Sequence, residues 1–133
     1  MSEENYSVEA VPEKDDDIGM IDISVYPAAD EKAEPLGVIV IQDPRNKDKG
    51  SGKSVDHFSI TVTYMEYKDV KDGVDLHELF ETVFAYLKAH GVEDVQYCTP
   101  KKDEEPFLLE QGFEFKMTNM SSYFPIHHYG RDL

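Results

Sequence analysis

A chain of 133 residues is long enough for one domain with a true core and too short for two. Hydrophobic residues make up 40% and aromatics 11%, which excludes wholesale disorder. Twenty-eight acids against 13 Lys and Arg give a formal charge of −15, which disfavours direct contact with nucleic-acid phosphates or anionic membranes.

Solubility is the simplest use of such a charge. It also suits attraction to a basic protein, or imitation of nucleic acid before a protein that binds it. Cys98 is the only cysteine, so no intrachain disulfide forms, and a reducing, cytoplasmic setting is expected. Within Val95-Gln96-Tyr97-Cys98 it reads as a packed structural thiol. No apolar run reaches the length of a membrane span, and the acidic N-terminus has no signal-peptide pattern.

Residues 1–17 read as a flexible acidic arm, because Glu3, Glu4, Glu9, Glu13 and Asp15 to Asp17 repel one another. A single domain is expected over residues 18–126, followed by a tail at 127–133. Within it, Ile21, Ile23 and Val25 alternate with Asp22 and Ser24 as in a half-buried strand. Leu36 to Ile41 form a nearly continuous apolar run, as in a strand covered on both faces. Asp43 to Ser54 read as a polar loop. Phe58, Ile60, Val62 and Tyr64 alternate with Ser59, Thr61 and Thr63, predicting a third strand.

A helix is predicted over 75–90, since Leu76, Leu79, Phe80, Val83, Phe84 and Leu87 fall on one helical face. Asp75 serves as N-cap with Glu78 three residues on, and Gly91 suits the position after the C-cap. Val95 to Thr99 predict a strand. Pro106 then opens a short helix that ends at Gly112, and Phe113, Phe115 and Met117 alternate as a further strand. A last strand is placed near Met120 to Phe124. The predicted core comprises Ile23, Val38, Val40, Ile60, Val62, Leu79, Phe80, Val83, Phe84, Leu87, Val95, Leu108 and Phe113.

Several motifs dissolve under their own chemistry. Gly50-Ser51-Gly52-Lys53-Ser54 looks like the end of a phosphate-binding loop, but the required earlier glycine position is Lys47 and a strand follows instead of a helix. His57, His77, His90, His127 and His128 show no metal-site spacing, so no metal is expected, and His127 and His128 should point to opposite sides of a strand. No Ser-His-Asp or Cys-His constellation is evident from spacing.

The order of elements from Tyr67 to Phe115, with Gly73 before the long helix and Phe107-Leu108-Leu109-Glu110-Gln111-Gly112-Phe113 after it, resembles the C-terminal half of the GCN5-related N-acetyltransferases (GNAT). The resemblance covers roughly residues 57 to 124. It implies an α/β fold with a mostly antiparallel sheet, one main amphipathic helix and one short helix. In that family an Arg/Gln-x-x-Gly-x-Gly/Ala loop holds the acetyl-CoA pyrophosphate at a helix N-terminus. Aligning Gly73 on the first glycine puts Val70 at the Arg/Gln position and Asp75 at the second Gly/Ala. Asp75 would then set a carboxylate where the pyrophosphate belongs and cap the amides that bind it.

The family's Phe-Tyr-x-x-x-Gly-Phe segment supplies a tyrosine that protonates the departing thiolate. In this chain that position is Leu108, which transfers no proton; Tyr97 or Tyr123 would have to replace it in space. The family also carries a helix pair between its first two strands, and Pro27 to Pro35 cannot hold one.

Together these departures imply a reduced, non-catalytic relative that acts through a protein partner, without nucleic acid or membrane and with no cofactor. Small size and acidity fit a phage-encoded protein, either a virion-associated component or an inhibitor of a basic host protein. The alternative is an active N-acyltransferase that uses acetyl-CoA on an amine. There Glu66 would be the general base, while Lys68, Lys71 and Gly73 would hold the pyrophosphate.

Overall fold

A computed structural model describes residues 6–13, 18–28, 34–43, 58–120 and 123–133. Among the described residues, eight strands form two four-stranded sheets, and two α-helices accompany them. The first sheet is an antiparallel meander of β1 (Tyr6–Pro12), β2 (Met20–Pro27), β3 (Gly37–Gln42) and β5 (Tyr64–Lys68). The Gly50–Ser54 motif and His57 lie outside the described residues.

The expected acidic arm is corrected over residues 6–12. Tyr6 through Pro12 pair antiparallel with Pro27 through Ile21, and Ala10 is 2% exposed. The alternation Tyr6, Val8, Ala10, Pro12 against Ser7 and Glu9 gives the strand one face toward the core. Tyr6 then donates its phenol O–H to Glu78 Oε1 at 2.7 Å, which ties the strand to the helix across the sheet.

The third predicted strand is also corrected. It breaks at Thr63 into β4 (Thr61–Val62) and β5, and the two pieces belong to different sheets. Thr63 N–H donates to the Gln42 carbonyl at 3.2 Å, so the break stays tied to β3. The break changes the phase of the alternation: Val62 and Met65 are both buried. Ile60, expected in the core, is 58% exposed, while its carbonyl accepts from the amides of Glu93 and Asp94. The other predicted core positions are buried.

Helix α1 (Leu76–Ala89) lays Leu79, Phe80, Val83, Phe84 and Leu87 on the sheets, as its periodicity predicts. Its end is set by Gly91 at φ +88°, a left-handed position that disfavours any side chain. After β6 (Asp94–Thr99), a single 3-10 turn at Lys102–Glu104 leads into α2 (Glu105–Glu110). The chain then forms β7 (Glu114–Met120) and β8 (Pro125–Asp132).

The residues expected as a C-terminal tail form most of β8, an interior strand. It pairs with β6 on one side and β7 on the other. Tyr129, 1% exposed, packs its ring on Phe115 and donates its phenol O–H to Glu105 on α2 at 3.0 Å. Arg131 lies over the Phe84 ring at 4.3 Å and pairs with Glu81 on α1 at 2.7 Å.

Candidate functional site

The second sheet contains one parallel pair, Thr61 and Val62 of β4 beside Asp94 and Val95 of β6. β5, which follows β4 in the chain, pairs with β3 in the first sheet, while β6 pairs with β8 in the second. Aromatic rings join these strands to the helix side. Tyr67 meets Phe80 and Phe107 at centroid distances of 6.0 and 5.9 Å, and Tyr97 meets Phe113 at 5.8 Å.

α1 follows β5 in the chain. Gly73 adopts φ +83°, so the loop takes the left-handed turn that a glycine permits. Asp75 follows in extended conformation, and its Oδ1 accepts from the amides of His77 at 2.9 Å and Glu78 at 3.4 Å. A carboxylate therefore occupies the positive end of the helix dipole. Glu78 adds a second one in the first turn, and His77 is held by Gln111, with Nδ1 3.0 Å from Gln111 Oε1.

Lys68 and Lys71 each face an acid on the first sheet's side. Lys68 Nζ is 3.8 Å from Asp22 Oδ2, and Lys71 Nζ is 3.8 Å from Glu34 Oε2. Lys68, Lys71 and Gly73 are thus neighbours in the chain, yet both ammonium groups are engaged by carboxylates. Both pairs are long and solvent-exposed, so they do not lock the ammonium groups; what stands against an anionic pyrophosphate here is the Asp75 carboxylate.

Glu66 is exposed on β5 and accepts a hydrogen bond from the Tyr64 phenol, two residues back on the same face. Burial of Tyr64, with Glu66 second, pushes its phenol up to about 12. Tyr97 is 6% exposed, and burial pushes its phenol well above the usual tyrosine value. Tyr123 is 91% exposed. Leu108, at the position of the family's acidic tyrosine, is fully buried in the core, where it does the packing work of a leucine.

Folding also creates a contact that spacing had hidden. Cys98 of β6 and His128 of β8 are register partners, with Sγ 3.1 Å from Nδ1. Asn119 Oδ1 lies 2.5 Å from His128 Nε2. Spacing left such a spatial pair open, since 30 residues of chain separate the two. His127 and His128 do point apart, with His127 Nδ1 at 2.9 Å from Thr118 Oγ1. Among the described residues no cluster of His, Cys, Asp or Glu is arranged to hold a metal ion, and no helix is long and apolar enough to cross a membrane.

The fold is that of the GNAT acetyltransferases. The aminoglycoside acetyltransferase AAC(6')-Ib, solved with paromomycin and acetyl-CoA, superposes with a TM-score of 0.58 at 12% identity, over 87% of this chain and 66% of its own. RimL, the ribosomal L7/L12 alpha-N-protein acetyltransferase solved with coenzyme A, gives 0.55 at 10% identity, over 86% and 63%. A GNAT-family acetyltransferase from Streptococcus pneumoniae gives 0.52 at 12%, over 86% and 68%. The chain thus spans about two thirds of the length of these proteins. No protein-family model and no curated protein matches it.

The connection between the first two strands is short. β1 and β2 are joined by residues 13–19, and Glu13 N–H donates to the Met20 carbonyl at 3.0 Å across that connection. Seven residues make at most about two helical turns, too little for a helix pair. The first strand is present as β1, so the connection between the first two strands is this one and not the segment from Pro27 to Pro35.

Proposed function

We propose that this chain uses the acetyltransferase fold without acetyl transfer and acts by binding a basic protein. The observation that supports it most is the Asp75 carboxylate on the amides of His77 and Glu78, where the fold's anion seat lies. Binding an anion there requires removing a cap and overcoming Asp75 and Glu78 at once. Leu108 supplies no proton, and the seven-residue β1–β2 connection is too short for a helix pair. The charge of −15 favours a basic partner, either inside a virion or as the target of an inhibitor.

The test is calorimetric titration of the full-length chain with acetyl-CoA at low and moderate salt. The expected result is no heat of binding up to millimolar ligand. Saturable binding in the micromolar range overturns the proposal and moves Glu66, Lys68 and Lys71 to the front as base and pyrophosphate ligands of an N-acyltransferase. Partner binding, in turn, is expected to weaken steeply as salt rises, and salt-independent affinity counts against a charge-driven contact.

One feature favours the catalytic alternative: the chain passes from the second sheet to the first after Val62 while β6 pairs with β8, and acetyltransferases of this fold have been solved with acetyl-CoA or coenzyme A. If that alternative holds, K71E abolishes acetyl-CoA binding; retained binding removes Lys71 from the site.

A further inference from the structure

We propose that Cys98, His128 and Asn119 form a base-assisted thiol site that exchanges with low-molecular-weight, peptide-like disulfides. This goes beyond partner binding and requires no acetyl-CoA.

Three strands of the second sheet supply one group each. Asn119 on β7 fixes the imidazole: its Oδ1 accepts from Nε2–H at 2.5 Å, so Nδ1 is left with its lone pair. That lone pair faces Cys98 Sγ at 3.1 Å. A nucleophile on a base, and the base on an orienting group, is the arrangement that activates a thiol. Burial pushes the Cys98 thiol up, so the resting form is S–H donating to Nδ1, and deprotonation occurs as the nucleophile attacks. Among the described residues, the other groups facing the thiol are Tyr64 on β5, with Glu66 behind it.

The same face has room for a substrate. Gln96, two residues from Cys98, and Gly130, two residues from His128, are register partners beside the pair. The Lys116 side chain lies over Gly130, where a Cβ would come within 3.0 Å of it. A cleft of about 330 Å³ beside the pair is lined by His128, Gln96, Met117, Lys116 and Asp132. Its size is at the lower end for small-molecule sites. Charges of both signs suit a zwitterionic peptide carrying a disulfide.

Disulfide exchange needs a base and an open approach, and no seat for an oxyanion. The Cys98 proton passes to His128 Nδ1 as Sγ attacks one sulfur of the disulfide. The S–Sγ bond forms, the original S–S bond breaks, and the departing thiolate takes the proton from the imidazolium. Cys98 sulfur is oxidised and the released sulfur is reduced.

Oxidised glutathione is the probe, with adduct formation at the single cysteine followed by intact mass. The full-length protein is expected to form one mixed disulfide, and H128Q to slow it roughly tenfold or more. N119A changes an exposed residue and so leaves folding intact. It is expected to slow the reaction less than H128Q and to shift its pH profile. Equal rates in all three proteins, or no adduct in the wild type when C98S is the blank, overturn the proposal.

Discussion

Asp75 Oδ1 lies 2.9 Å from the amide nitrogen of His77, which makes a side chain of the chain itself the anion at the start of α1. Its removal has two separable effects. D75A is expected to destabilise the fold by about 1 kcal/mol through the lost cap, read as a lower urea midpoint at unchanged slope. D75G, a milder cap substitution, is expected to open the amides and introduce weak binding of inorganic phosphate or acetyl-CoA. If D75G binds neither ligand, the carboxylate is a cap and nothing more.

Tyr6 tests the placement of the first strand. Y6F removes the hydrogen bond to Glu78 and is expected to cost about 1 kcal/mol. Deleting residues 1–12 should cost much more, because it leaves Ile21 and Ile23 on an unpaired edge strand. An unchanged melting temperature after the deletion would return residues 6–12 to the status of an arm.

Arg131 holds the C-terminal strand to both helices. Its Nη1 donates to Glu81 Oε2 at 2.7 Å and to the Gln111 carbonyl at 2.6 Å. R131M is expected to cost about 2 kcal/mol, mostly from the carbonyl and carboxylate left unpaired. In a double-mutant cycle with E81Q the coupling should be about 1 kcal/mol and should shrink in high salt. G112A tests the same packing: Gly112 has φ +87°, and a Cβ would come within 3.1 Å of the Arg131 guanidinium. An expected loss of about 1–2 kcal/mol follows from the strain.

Tyr64 gives a pH prediction with a definite sign. Its folded pKa of about 12 exceeds the unfolded value of 10.0, so the folded state keeps a proton that the unfolded state releases. Its contribution is whole below pH 10 and is lost as pH rises toward 12. Alkaline difference spectroscopy should show a late tyrosine component that shrinks in Y64F. Tyr97 joins that late component, since burial moves it in the same direction. A spectrum unchanged by Y64F would mean the phenol is solvated and not held by Glu66.

Local chemistry made α1 legible from sequence: six apolar residues on one face, Asp75 at its start and Gly91 past its end. Pro106 and Gly112 framed α2 in the same way, and the apolar run of β3 marked it as covered on both faces. The departures at Asp75 and Leu108 were visible too, because a carboxylate at a helix start and a leucine in a core act alike in most contexts. β1 carried its own alternation, but the surrounding acids masked it.

What only the tertiary structure decided depends on pairing between distant segments. The change of sheet at Thr63 is set by two partners, Gln42 and Val95, that no local window around Ile60 contains. The interior position of β8 comes from strands on both sides of a segment whose own sequence does not alternate. Cys98, Asn119 and His128 meet for the same reason: β6, β7 and β8 are sequential in the chain but β8 lies between the other two. Local residues determine how a segment is shaped; backbone hydrogen bonds and burial across the sheet determine which segment it stands beside.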